Sequence, residues 1–211
     1  MATDKQASGP VMQLLASGLQ LWVRQQCQSV ESLDIDLRGS AFSLLRGRLD
    51  GVQLLARRAV YQHLPIEQVQ LQSTAISVHM GNLLKGNPLQ LEHPFVVEGQ
   101  LSFSAEGLSA LFIEPHWQGL AEGLRDQLFG ELGLKALRIE LDQLVFVLQG
   151  SQPEQQIELR VLVRAAAGTI ELASPAGETL VRLPMDPGIS IERAWIAAGM
   201  LQLSGRARVS P

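Results

Sequence analysis

The feature that most constrains this chain is a period of two. Leu33, Ile35 and Leu37 alternate with Asp34 and Asp36. Phe95, Val97, Gly99, Leu101 and Phe103 stand opposite Val96, Glu98, Gln100 and Ser102. The same rhythm returns at Ile157, Leu159, Val161 and Val163, and again at Leu201, Leu203, Ala207 and Val209. Successive side chains of a strand point to opposite faces, so each run predicts a strand with one face buried and one wet. Further strands are expected over 42–48, 51–60, 66–80, 134–149, 155–165, 168–173, 178–183, 189–196 and 199–209, separated by Gly and Pro. Within 66–80 the apolar phase shifts from Val69 and Leu71 to Ile76, Val78 and Met80. A bulge near Ser73 or Thr74 would account for it.

Three segments break the rhythm with helical spacing. Residues 10–28 carry Val11, Leu15, Leu19, Trp22 and Cys27 near one stripe. Ser104 is placed to cap a helix beginning at Ala105, with Glu106 against its dipole, and Pro115 interrupts it. Residues 117–132 repeat Trp117, Leu120, Ala121, Leu124, Leu128, Phe129 and Leu132 at spacings of three and four. The order is helix, strands, helices, strands. Nothing alternates as βαβ, so the sheet is expected to be antiparallel and the class α+β. The chain has 211 residues, which fits one domain over 10–211 preceded by a flexible 1–9.

Composition narrows the chemistry. Apolar residues are 46% and charged residues 18%, with a mean hydropathy of +0.12, which excludes disorder and allows a large core. Aromatics are only 5%, so that core is aliphatic. The single cysteine, Cys27, rules out an internal disulfide and fits a reducing compartment. The most apolar stretch, residues 11–23, is 13 residues long and holds two glutamines, too short and too polar to span a bilayer. It lacks the basic flank and cleavage site of an export signal. A cytoplasmic protein, or one peripheral on the cytoplasmic face of a membrane, is expected.

No catalytic constellation emerges. His63, His79, His93 and His116 form no paired motif, and neither a nucleophile elbow nor a phosphate-cradling glycine loop occurs. Asp34 and Asp36 share a strand face that reads most simply as its wet side, and Cys27 sits on an apolar helix stripe. The expectation is a protein that is not an enzyme and carries no cofactor and no metal. Nucleic acid is excluded as a partner: the pI is about 5.6, and only Phe42 and Tyr61 interleave the basic stretch.

That basic stretch is nevertheless distinctive. Residues 37–90 hold Arg38, Arg46, Arg48, Arg57, Arg58 and Lys85 against Asp50 and Glu67, a net +4 in a chain of net −4. It contains Leu-Leu-Arg-Gly at 44–47 and Leu-Leu-Lys-Gly at 83–86. In each, glycine permits a sharp turn, paired leucines can dip into a core or interface, and the cation can face a phosphate. Two connections of a meander with solvated cations are the simpler account of the same residues.

The run "LWVRQQCQSVESLDIDLRGS" and, more sharply, "AVYQHLPIEQVQL" at 59–71, "GNLLKGNPLQL" at 81–91 and "LSFSAEGLSALF" at 101–112 resemble the LmeA-like phospholipid-binding family, and most closely its cyanobacterial members. The resemblance is good over about 20–132 and looser beyond. It implies phospholipid binding and a tubular lipid-binding type of fold, in which a long curved antiparallel sheet packs on amphipathic helices around an apolar groove.

On this basis the expected function is noncatalytic binding of a phospholipid or related amphiphile, by lipid transfer or peripheral membrane association. Candidate groove walls are Trp22, Phe95, Val97, Leu101, Phe103, Leu120, Leu124 and Leu128, and the expected pocket is apolar and of several hundred Å³. Arg46, Arg48 and Lys85 are the candidate rim toward anionic headgroups or an anionic membrane surface. The other reading is a structural protein that docks a partner through an exposed apolar sheet groove.

Overall fold

The computed structural model describes residues 10–40, 42–43, 46–77, 91–150 and 155–211. Helix α1 (Pro10–Gln26) leads into β1 (Ser29–Arg38), followed by β2 (Arg48–Leu49), β3 (Gly51–Tyr61), β4 (Leu64–Ser73), β5 (Ile76–Ser77) and β6 (Phe95–Phe103). A helical segment intervenes: α2 (Ala105–Ser109), two single 3₁₀ turns, α3 (Gln118–Leu124) and a π-helical turn over Arg125–Phe129. Strands then resume as β7 (Gly133–Glu140), β8 (Gln143–Gln149), β9 (Gln156–Ala166), β10 (Thr169–Ala173), β11 (Thr179–Arg182), β12 (Ile189–Ala197) and β13 (Met200–Val209).

The class is α+β and every strand pair is antiparallel. The expectation of one long curved sheet with a tubular topology is overturned. Among the described residues the strands divide into three open sheets: six strands in the order β1-β3-β4-β6-β13-β12, five in the order β11-β10-β9-β8-β7, and a ribbon of β2 with β5. Local pairing explains the division. β7 to β11 are consecutive in the chain and each pairs with its sequence neighbour, because short hairpin connections fix antiparallel neighbours before distant strands can compete. Ala167 and Gly168 (φ +51° and +80°) turn β9 into β10, and Ala198 and Gly199 (φ +51° and +71°) turn β12 into β13, each with the paired positive φ of a tight primed turn.

Several local expectations are corrected too. The stretch 134–149 is not one strand but the β7–β8 hairpin, turned at Leu141. In the described part of 66–80 the phase shift is a break rather than a bulge: β4 ends at Ser73, and the chain re-pairs as β5 with β2, while Val78 and Met80 lie outside the described residues. Thr74 marks the break, its backbone N–H donating to the carbonyl of Val96 at 2.8 Å. Residues 42–43 are helical, not extended.

Two buried clusters hold the fold together. The main one lies between the inner faces of the two large sheets and the helical segment, and includes Phe103, Leu108, Leu124, Phe129, Phe146, Val161 and Leu201. Ring centroids of Phe129 and Phe146 are 5.1 Å apart, and Phe112 lies 5.9 Å and 6.1 Å from them. The second cluster sits under α1, where Ala16, Leu19 and Val23 pack on Leu33, Ile35, Leu37 and Ala56. Val69 touches both. Gly107 lets α2 approach β4 closely, since a Cβ there would fall 2.7 Å from the carbonyl oxygen of Pro65. Ser104 caps α2 by accepting from the N–H of Gly107, as its position predicts.

Candidate functional site

The six-stranded sheet has two faces of opposite chemistry, and register fixes both. On the inner face one rung crosses all six strands as Leu33, Ala56, Val69, Leu101, Leu203 and Ala194, and a second as Ile35, Leu54, Leu71, Gly99, Gly205 and Ile191. These are aliphatic throughout. The α1 cluster covers the β1 side of this face and the main core covers the β13 side. Between them, Leu71, Phe95 and Val97 are half-buried and, among the described residues, packed into neither cluster. The Leu71 side chain leans over Gly99, where an added Cβ would meet its Cδ2 at 2.9 Å.

The residues picked out as groove walls separate into three places. Leu101, Phe103, Leu120, Leu124 and Leu128 come together in or against the main core, with Phe103 and Leu124 fully buried. Phe95 and Val97 lie on the half-buried strip. Trp22 stands apart on α1 at 58% exposure, beside Leu21 at 60%, because the residues that α1 turns to the sheet are Ala16, Leu19 and Val23.

The basic rim is described in part. The Arg46 guanidinium lies 4.2 Å from the ring centroid of Phe42, a side chain 63% exposed. Gly47 takes φ +76° in the turn, and Arg48 opens β2 opposite Ser77. Leu49, next in line, packs against the α1 cluster. No described carboxylate pairs with Arg46 or Arg48, whereas Arg58 is engaged with Glu31. Lys85, the leucine pairs 44–45 and 83–84, and Gly86 lie outside the described residues.

The outer face is polar. Its rungs read Asp36, Gln53, Gln72, Glu98, Arg206 and Ser190, then Asp34, Leu55, Gln70, Gln100, Ser204 and Arg193, then Ser32, Arg57, Gln68, Ser102, Gln202 and Trp195. A hollow of about 600 Å³ lies along it, lined by Gln53, Gln72, Glu98 and Arg206 of the first rung, Leu55, Gln70, Gln100 and Ser204 of the second, Leu54, Leu71, Gly99 and Gly205 between them, and Glu192. A smaller one of about 140 Å³ adjoins Gln68, Gln70, Gln100, Ser102 and Gln202. Of the eight groove candidates only Leu101 touches either hollow. Sequence reasoning missed this face, although its signal was visible: Gln68, Gln70 and Gln72 alternate with Val69 and Leu71 in the same period of two.

Titratable groups off this sheet are structural. Glu171, 2% exposed, is clasped across three strands by Arg182 at 2.5 Å and Arg164 at 3.0 Å, and the Arg182 hydrogen bond is the first cause holding its carboxyl below the usual range. Burial pushes the Cys27 thiol up, away from nucleophilic reactivity. Among the described residues no group of three His, Cys, Asp or Glu side chains is arranged to hold a metal ion, and no helix is long and apolar enough to cross a membrane.

The profile of the LmeA-like phospholipid-binding family matches residues 7–206, and the chain belongs to that family. Lipid or amphiphile binding, and not catalysis, is therefore its role. No curated protein and no solved structure matches it.

Proposed function

We propose that the chain binds a phospholipid or related amphiphile with its acyl chains against the aliphatic inner face of the six-stranded sheet, at the strip formed by Leu71, Phe95 and Val97 and bordered by Leu101. The observation that carries this reading is that these side chains are half-buried yet belong to neither packed cluster, in a chain of a phospholipid-binding family. Each methylene buried there contributes ~0.8 kcal/mol, so a short length of chain suffices for useful affinity. Phe103, Leu120, Leu124 and Leu128 back the strip as packed wall.

Attachment to a membrane is peripheral, on its cytoplasmic face. Arg46 and Arg48, with Lys85 by its matching sequence, meet anionic headgroups, while Phe42 and Trp22 offer exposed aromatic edges to the interface. Each cation near an anionic surface is worth about 1 kcal/mol, so this contact is weak and salt-sensitive. Lipid transfer between membranes follows from the combination of a lipid seat and a reversible membrane contact.

Native mass spectrometry of the purified protein, followed by lipid extraction, tests the seat. Bound phospholipid is expected in the wild type and its loss in Val97→Glu, with the far-UV spectrum unchanged. Lipid retained in Val97→Glu would remove the strip from the reading.

A further inference from the structure

The hollow on the outer face of the six-stranded sheet is separated from the aliphatic strip by the thickness of the sheet, so a lipid seated on the strip cannot place its headgroup there. Its composition is also unlike a lipid seat. Gln53, Gln72, Glu98 and Arg206 line one side, Leu55, Gln70, Gln100 and Ser204 the other, and the rung of Leu54, Leu71, Gly99 and Gly205 runs between them. The residues two positions away on the inner face do not line it, which places the hollow on the polar side. A bulge in β12 between Ile191 and Arg193 delivers Glu192 as the end wall, where it pairs with Arg206 at 2.5 Å.

The charge balance decides the class of ligand. The lining holds one cation against two carboxylates, and that cation is already paired, so a phosphate, sulfate or nucleic-acid backbone finds no free positive partner among the lining residues. The side-chain amides find few partners in the protein: Gln53 donates to Gln72 at 3.3 Å, while the side chains of Gln68, Gln70, Gln100 and Gln202, all in strand ladders, make no hydrogen bond to the described residues. A glutamine amide offers both donors and an acceptor, which matches a hydroxyl that is also both. Leu55, 41% exposed in the same wall, supplies an apolar patch for the C–H side of a ring. Next to the smaller hollow, Trp195 faces Gln202 across β12 and β13, with the Arg193 guanidinium 4.6 Å from its ring. The volume of about 600 Å³ falls within the range of ~300–1,000 Å³ for small-molecule sites.

We propose that this face binds a neutral polyhydroxylated ligand, a short uncharged oligosaccharide, in the trough between the Gln53–Gln72 and Gln70–Gln100 rungs. The ligand lies across the strands, its hydroxyls exchanging hydrogen bonds with the unpaired amides. Such a sugar comes either free or as the headgroup of a separate glycolipid. Both present the same hydroxyls to the trough.

The test is a heteronuclear NMR titration of the full chain with maltotriose, cellotriose and galactotriose, following backbone and glutamine side-chain amides. Saturable shifts are expected in the Gln53, Gln70, Gln72 and Gln100 amides with at least one of these sugars, in the millimolar range, and at least a tenfold weakening in Gln70→Ala/Gln100→Ala. A second arm compares phosphatidylcholine vesicles with and without digalactosyl diacylglycerol. Excess binding to the glycolipid vesicles, lost in the same variant, assigns the sugar to a lipid headgroup, and shifts with the free sugars alone assign it to a free glycan. The proposal is overturned by no response to any of these probes, by shifts that survive the double variant, or by tighter binding of inositol hexakisphosphate than of every neutral sugar. Lipid retention in Gln70→Ala/Gln100→Ala should match the wild type, so failure of this site and failure of the acyl-chain seat are read separately.

Discussion

Replacing Gly205 by alanine isolates the bulge that shapes both faces of the large sheet. A Cβ at Gly205 would stand 2.3 Å from the carbonyl oxygen of Ser190 and 3.0 Å from the Cα of Ile191. Both are backbone atoms of β12, so no side chain can swing aside to make room. The strand itself has to move, and with it the bulge that carries Glu192 toward Arg206. Forced overpacking of this kind costs about 1–3 kcal/mol, which for a chain of this size lowers Tm by roughly 2–4 °C per kcal/mol. Two other glycines calibrate the effect. At Gly99 the close atom is the flexible end of Leu71, so Gly99→Ala should cost less than Gly205→Ala. At Gly119, in α3, nothing lies within 4 Å, and Gly119→Ala should stabilise by up to about 1 kcal/mol through helix propensity. Urea unfolding of the three variants at one pH gives the ranking directly. A Gly205→Ala protein within ~0.5 kcal/mol of wild type, the scatter of ordinary surface changes, would refute the claim that backbone contact with β12 requires glycine here.

Other expectations follow from packing and charge. Phe129→Ala, in a ring 3% exposed at the meeting of the helical segment and β8, should lose about 3–5 kcal/mol in denaturant unfolding. The Glu171 carboxyl is held low by Arg182 and Arg164, so its contribution is present above the unfolded carboxylate range near pH ~4.3 and is lost as pH falls through its lower folded value. Glu171→Gln should therefore flatten the acid limb of Tm against pH, and an unchanged limb would contradict the clasp. Arg46→Gln/Arg48→Gln should reduce binding to anionic vesicles most at low salt, since screening acts over about 8–10 Å at 0.1–0.15 M. Thermal stability of that variant should hold, because both side chains are exposed. Ala198→Asn should raise stability by about 0.5–1 kcal/mol, because Ala198 sits at φ +51° in a turn that favours Asn-Gly.

What could be read from the sequence was what local rules decide. Alternation located β6, β9 and β13 within a residue and the body of β1 from Ser32 onward, because burial on one face leaves that mark regardless of partner. Capping at Ser104 was legible for the same reason. Which strand pairs with which was not. Nothing in residues 200–209 announces that they pair with β6 and close the first sheet rather than extend the second. The curved single sheet came from family resemblance, and the division into open sheets corrects it. The stripe on α1 misassigned Trp22, since helical spacing gives the angle of a side chain but not which sector meets the sheet. The glutamine face carried its signal openly and was passed over because solvated strand faces usually hold polar residues of any kind.

The pairing of β13 with β6 sets the order in which the molecule can become itself. Phe103 faces Leu201 and Phe95 faces Val209, partners about a hundred residues apart, a separation that slows folding by raising the mean sequence span of contacts. In chain order all five strands of the second sheet lie between β6 and β13, so the edge of β6 that β13 covers stays open until strands far apart in sequence meet. Without β13, β6 is paired on one side only, by β4 through Leu101 and Val69. Loss of β13 would therefore leave β6 as an open edge and uncover Leu101 and Phe103, which pack in or against the main core.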